Sequence, residues 1–154
     1  MVPRPRTRHH RRRARLRGPA LVRHEAPAVI NLLLVMLGGA LGAASRFGLV
    51  LLIRPHAPGF PAGTLACNLL GCAAIGLLAG LMGVSGSEYD RARLFLFTGL
   101  LGGFTTFSSF GLETIGLCRD GRFGAALAYI ALSNTLGLAM VYLGWRLAAP
   151  AHQA

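Results

Sequence analysis

The chain has no lysine: all sixteen of its basic residues are arginine. Acids are scarcer still, five among 154 residues, and only Glu113 falls inside an apolar segment. That poverty excludes whole classes of chemistry. No glycine-rich phosphate loop closes on a lysine, so nucleotide-driven coupling has no site. No series of intramembrane carboxylates offers a proton relay. The three cysteines, Cys67, Cys72 and Cys118, have no ligand spacing with a histidine. They read as small packing residues rather than as a disulfide or a metal site. The five histidines, His9, His10, His24, His56 and His152, lie in tails and one loop and do not cluster on a helix face, which leaves acid–base work without a candidate. An enzyme is not expected.

What is present is apolar. Hydrophobic residues make up 53% of the chain, mean hydropathy is +0.53, and the length suits one domain. Nine of the sixteen arginines lie between Arg4 and Arg23. Residues 1–28, with Pro3, Pro5, Pro19 and Pro27, cannot bury a core and are expected to be a disordered tail. Its charge suits anionic lipid headgroups. No aromatic residues interleave with the arginines, so nucleic acid is not an expected partner. Cleavage near Ala43-Ala44 as a signal peptide would discard half of a full-length span. Four apolar stretches follow, at about 29–53, 63–84, 94–118 and 123–147, joined by short polar or proline-rich loops. The expectation is an all-α membrane protein of four transmembrane helices, domain 29–149, with a short C-terminal tail at 150–154. Tyr142 and Trp145 suit an interface at the end of the fourth span.

Each span carries polar or glycine positions that ordinary lipid-facing helices lack. In the first, Gly38 and Gly42 form a small face for close helix approach. Arg46, one turn on, faces protein or water unless it snorkels to an interface. In the second, Thr64, Asn68 and Gly71 share a face. Asn68 reads equally as an interhelical hydrogen bond or as a pore-lining amide. The third contains Thr98–Phe110, where Gly102-Gly103 is expected to loosen the backbone. Thr105, Thr106, Ser108 and Ser109 can bond the groups so freed, and Phe107 and Phe110 bracket the serines. Non-helical backbone at membrane depth survives only where protein buries it or where it lines a cavity. A helix broken near Gly102–Thr106, beside an ion path, is therefore expected. In the fourth span, Tyr129, Ser133 and Gly137 recur one turn apart, with bundle packing as the simpler reading.

Four motifs in order, one per span, resemble the Fluc/CrcB family of small fluoride channels. They are Gly38-Gly-Ala-Leu-Gly42-Ala-Ala-Ser-Arg46, Gly63-Thr64-Leu-Ala-Cys-Asn68-Leu-Leu-Gly71, Gly102-Gly-Phe-Thr105-Thr106-Phe107-Ser108-Ser109-Phe110 with Glu113, and Tyr129 with Ser133. The resemblance runs from about residue 31 to 148 and leaves the basic tail outside. It implies an antiparallel, dual-topology dimer with two fluoride pathways and a structural sodium ion at its centre. It further implies passive export of cytoplasmic fluoride across the inner or plasma membrane. Thr64, Asn68, Phe107, Ser108, Phe110, Tyr129 and Ser133 would line the pathway, Arg46 would sit toward a vestibule, and the backbone carbonyls of Gly102 and Thr105 would hold the sodium. Ser109 stands where a Thr is common, and Gly111 where a Ser is common.

The chemistry agrees with that assignment. Fluoride holds water tightly, so hydroxyl and amide donors must replace it, and the positive edges of phenyl rings can touch a bare anion weakly enough to let it go. Carbonyl oxygens at a helix break suit sodium. Outside the tail, the arginines divide evenly between the two sides, Arg91, Arg93 and Arg146 against Arg54, Arg119 and Arg122, which gives the core no preferred orientation. The tail favours a cytoplasmic N-terminus. The partner is accordingly a second copy or an oppositely oriented homologue. The competing readings are a small proton-coupled multidrug exporter of dual topology, which needs a chamber carboxylate early in the chain, and a noncatalytic helper subunit.

Overall fold

The computed structural model describes residues 25–83 and 90–148. Most of the expected N-terminal tail and the C-terminal tail at 150–154 lie outside the described residues. Helix α1 runs Glu25–Ile53 and ends in a 3-10 turn, Arg54–His56; α2 runs Ala62–Met82. Helix α3, residues 91–104, opens with an α-turn at Arg91–Arg93, widens into a π-helix over Leu94–Leu101 and closes with an α-turn at Gly102–Phe104. Helices α4 (Phe107–Arg119) and α5 (Phe123–Ala148) complete the chain. Helices α3 and α4 are the two halves of one span, so four helical segments are long and apolar enough to cross a membrane: Ala28–His56, Ala62–Met82, Arg91–Arg119 and Phe123–Ala148. The all-α membrane architecture agrees with the sequence.

Helix α1 begins earlier than residue 29 because Pro27 sits in its first turn, where a missing N–H costs nothing. The prolines of Arg54-Pro-His-Ala-Pro-Gly-Phe-Pro61 end it. Asp90 caps α3 by accepting from Ala92 N at 3.0 Å, and Thr106 caps α4 by accepting from Ser109 N at 3.1 Å. Gly121, at φ +72°, turns the chain from α4 to α5, and the Arg122 amide reaches back to Leu117 O at 2.8 Å.

The helices associate as two parallel pairs. Helix α1 lies along α3 with its glycines against backbone: a Cβ on Gly38 would stand 2.5 Å from Phe95 O, and one on Gly42 would run into Leu100 O and lie 2.8 Å from Phe104 N. Helix α2 lies along α5, with Gly76 against Val141 and Gly137 against Cys72. That register sets Tyr129 level with Thr64 and Ser133 level with Asn68. The apolar core within one chain is thin, comprising Cys67, Leu101, Leu117, Ala126 and Tyr129. Most large apolar side chains face outward, as in a polytopic membrane protein whose solvent is lipid.

Candidate functional site

The break in the third span is narrower than Gly102–Thr106. Gly102 keeps helical angles (φ −61°, ψ −38°), and the chain becomes extended only at Thr105 (φ −89°, ψ 159°) and Thr106 (φ −154°, ψ 117°). Gly102-Gly103 therefore does not loosen the helix. Gly103 is there for approach: a Cβ would lie 2.5 Å from Gly39 O on α1.

Asn68 holds the break open. Its Oδ1 accepts from Thr106 N at 2.8 Å, and its Nδ2 donates to Thr106 O at 3.1 Å. One amide thus reproduces both bonds that a strand neighbour would make. Each such bond is worth about 1 kcal/mol net, and leaving either backbone group unpaired at this depth costs more. The Thr106 N–H is thereby turned away from Gly102 O, its α-helical acceptor. Thr105 is pinned separately. Its methyl packs on Gly71, where any side chain would collide, and its Oγ1 donates to Leu101 O at 2.9 Å.

Arg46 reaches the same place from α1. Its Nη1 lies 3.5 Å from Thr105 O, and its side chain is half-buried. The structure brings it beside the break. Two backbone carbonyls, Gly102 O and Thr105 O, remain as oxygen donors at the break, a donor type that sodium accepts. The guanidinium beside Thr105 O is the one feature that opposes a cation there.

A second cluster lies one turn away along α2. Glu113, on α4, accepts from Thr64 Oγ1 at 2.7 Å through Oε1 and from Tyr129 OH at 2.8 Å through Oε2. Both carboxylate oxygens have donors, which is what an acid at membrane depth requires. Tyr129 is fully buried. Its ring lies 5.1 Å from Phe110, tilted by 57°, and Phe110 lies 5.5 Å from Phe107. Phe107 itself is 82% exposed, so its ring is offered to whatever lies outside this chain. Ser108 is also exposed, with Oγ 3.3 Å from Thr106 Oγ1. Ser133 Oγ is buried and has no hydrogen-bond partner among the described residues.

Two cavities flank these clusters. One, about 820 Å³, opens beside the loop 54–61 and reaches Thr64 and Glu113. The other, about 330 Å³, lies along the break and is lined by Asn68, Gly102, Thr105, Thr106 and Phe107. The sequence marks Glu113 as the lone intramembrane acid without giving it partners, and marks Thr106 as one of the hydroxyls at the break without showing that its backbone pairs with Asn68.

Together the split span, the amide-bridged break and the hydroxyl–carboxylate cluster define a small polytopic membrane protein built around a polar track. The chain belongs to the CrcB family: the model described as CrcB-like protein, Camphor Resistance (CrcB), matches residues 33–145. A protein named fluoride-specific ion channel FluC from Methylobacillus flagellatus is 47% identical over 126 residues, covering 80% of this chain and 98% of that protein. Proteins of the same name from Paracoccus denitrificans (49% identical, covering 71% of this chain and 87% of that protein) and Thermus thermophilus (49%, 75% and 92%) are also similar.

Proposed function

We propose that this chain is a fluoride-selective channel that lowers cytoplasmic fluoride by passive export across the cell membrane. The observation that carries the reading is Ser133 Oγ, a buried hydroxyl without a partner among the described residues, level with Asn68 and one turn beyond Tyr129. A track of hydroxyl and amide groups ending in an unpaired donor suits a small, strongly hydrated anion. Thr64, Asn68, Ser108, Tyr129 and Ser133 supply the polar contacts. Phe107 and Phe110 supply ring edges that hold a bare anion weakly. The names of relatives nearly half identical over most of their length support the same reading.

The working unit is an antiparallel dimer with two pathways, formed with a second copy or an oppositely oriented homologue. The thin core of one chain and the exposed ring of Phe107 support it. A sodium ion, held by the carbonyls of Gly102 and Thr105 from both subunits, would neutralise carbonyl dipoles at the dimer centre. The exporter reading loses ground because both oxygens of Glu113 are already occupied by hydroxyl donors. The test is efflux from liposomes holding the purified protein: fluoride passes and chloride does not. Equal chloride passage sinks the selectivity claim.

A further inference from the structure

The proline-rich loop between α1 and α2 meets the polar track through an aromatic contact. Phe60 projects from it onto the buried Tyr129 with ring centroids 5.6 Å apart and planes at 75°. That is an edge-to-face contact, a geometry that fixes orientation as well as distance. Phe60 also packs with Leu117 and Ala126. Several contacts brace the loop. Gly59 has φ +76°, a left-handed angle that glycine adopts freely. The Phe60 amide closes a turn on Ala57 O at 3.2 Å, and Phe60 O accepts from Ala62 N at 2.8 Å. The outer side is tied from across the molecule, where Arg122 Nη1 donates to Gly59 O. A side chain on Gly59 would meet that guanidinium at 2.8 Å.

Tyr129 is fully buried in one cluster with Leu117 and Ala126. Its hydroxyl donates to Glu113, and its aromatic neighbours are Phe60 and Phe110. The large cavity comes up to this wall, with Phe60, Thr64 and Glu113 among its lining residues. A tilt of the Tyr129 ring would lengthen the bond to Glu113 and leave a carboxylate oxygen short of a donor.

We propose that Phe60 is a positioning residue for the track: held by the Arg122–Gly59 latch, its ring sets the angle of Tyr129 and thereby keeps the Tyr129 hydroxyl on Glu113. The inference rests on the reading that Tyr129 lines the fluoride pathway. On this proposal the effect of Phe60 on transport passes through the Tyr129 hydroxyl, although its ring also lines the large cavity.

A double-mutant cycle on the full chain in liposomes separates this role from plain core packing. Phe60→Leu keeps apolar bulk and loses the ring edge. The expected result is a roughly fivefold fall in fluoride efflux, shrinking to less than about twofold when the same change is made in Tyr129→Phe. Equal falls in both backgrounds overturn the proposal, as does an unchanged rate in Phe60→Leu. A second measurement does not depend on transport. With 3-fluorotyrosine incorporated, the Tyr129 fluorine resonance is recognised by its loss in Tyr129→Phe. It should shift in both Phe60→Leu and Arg122→Gln while that of Tyr142 stays in place; a Tyr129 signal that moves in neither refutes the latch. If the unmodified protein passes no fluoride, the channel reading falls on that result alone. If Tyr129→Phe is itself silent, the resonance decides the positioning role.

Discussion

The two halves of the split span solve opposite problems. Helix α3 is packed by backbone. Its π-helical stretch Leu94–Leu101 lies against α1, with Gly38 and Gly42 meeting Phe95, Leu100 and Phe104 main-chain atoms. Helix α4 is packed by few side chains. Leu117 is its one buried residue, while Phe107, Leu112 and Ile115 are 82%, 75% and 59% exposed. A π-helix is wider than an α-helix and is uncommon beyond a single turn. Here close backbone contact along one side supports it. The consequence is a division of labour. The half before the break fixes where the chain opens, and the half after it carries Phe107, Ser108, Phe110 and Glu113 on an ordinary helix. The first should tolerate almost no added volume, and the second should tolerate it wherever function is not touched.

The largest expected effect is therefore on α1, opposite the π-helix. Gly42→Val drives a branched side chain into Leu100 O and Phe104 N. The pair must separate, at a cost of about 3 kcal/mol or more, which should abolish a folded peak in detergent gel filtration. Gly48→Ala, also on α1 but with nothing within 4 Å of its Cβ position, should not lower the melting temperature and should raise it by a few degrees through helix propensity alone. Equal damage at both positions would remove the backbone seam from the account.

Next comes Asn68→Asp at the break. The carboxylate still accepts from Thr106 N but cannot donate to Thr106 O, which it faces across the 3.1 Å now spanned by Nδ2. An acceptor opposed to an acceptor at membrane depth should open the break and reduce fluoride efflux from liposomes by at least about a hundredfold. Efflux within a few-fold of the unmodified chain would show that the amide bridge is not needed to hold the path.

This contrast also separates what the sequence could show from what it could not. Four spans were legible because uninterrupted hydropathy of bilayer length has few other meanings. The break was legible because Thr105-Thr106-Phe107-Ser108-Ser109 has more hydroxyls than a lipid-facing helix can use. Its limits were not: Gly102-Gly103 looks like a helix breaker, yet both residues are helical and serve close approach to α1, a tertiary fact that glycine alone does not announce. The π-helix left no mark in the apolar run Leu94–Leu101. Arg46 was recognisable as a charge that needs company, but its reach to Thr105 O depends on how α1 and α3 cross. Glu113 was the clearest signal without a solution. Its donors stand on two other helices, and only the parallel register of α2 and α5 brings Thr64 and Tyr129 level.

That cluster gives the third and smaller prediction. Glu113→Gln keeps one carbonyl acceptor and turns the other oxygen into a donor. Hydroxyl hydrogens rotate, so either Thr64 or Tyr129 can reverse its bond and accept instead. The expected loss is about 1 kcal/mol in thermal stability and roughly threefold in efflux. Glu113→Ala strands both hydroxyls and should cost more in each measurement. If the alanine variant behaves like the glutamine variant, the two bonds to Glu113 contribute nothing that solvent in the adjoining cavity cannot replace.

The smallest effect is the finest test of the two halves. Gly111 and Gly116 lie within α4, and a Cβ on either would meet nothing within 4 Å, whereas Gly103 in α3 faces Gly39 O at 2.5 Å from its own Cβ position. Alanine is favoured over glycine inside a helix by roughly 0.5–1 kcal/mol. Gly111→Ala and Gly116→Ala should therefore raise the melting temperature by a few degrees, with efflux unchanged. Gly103→Ala, subject to the same propensity gain, should lower it, because the collision with the α1 backbone costs more than the helix gains. A melting temperature that rises at all three positions would mean that the π-helical half is no more tightly fitted than the half that follows it. A fall at Gly111 or Gly116 would mean that α4 is covered by something this chain does not itself supply, and the position that falls would locate the covering surface on the helix.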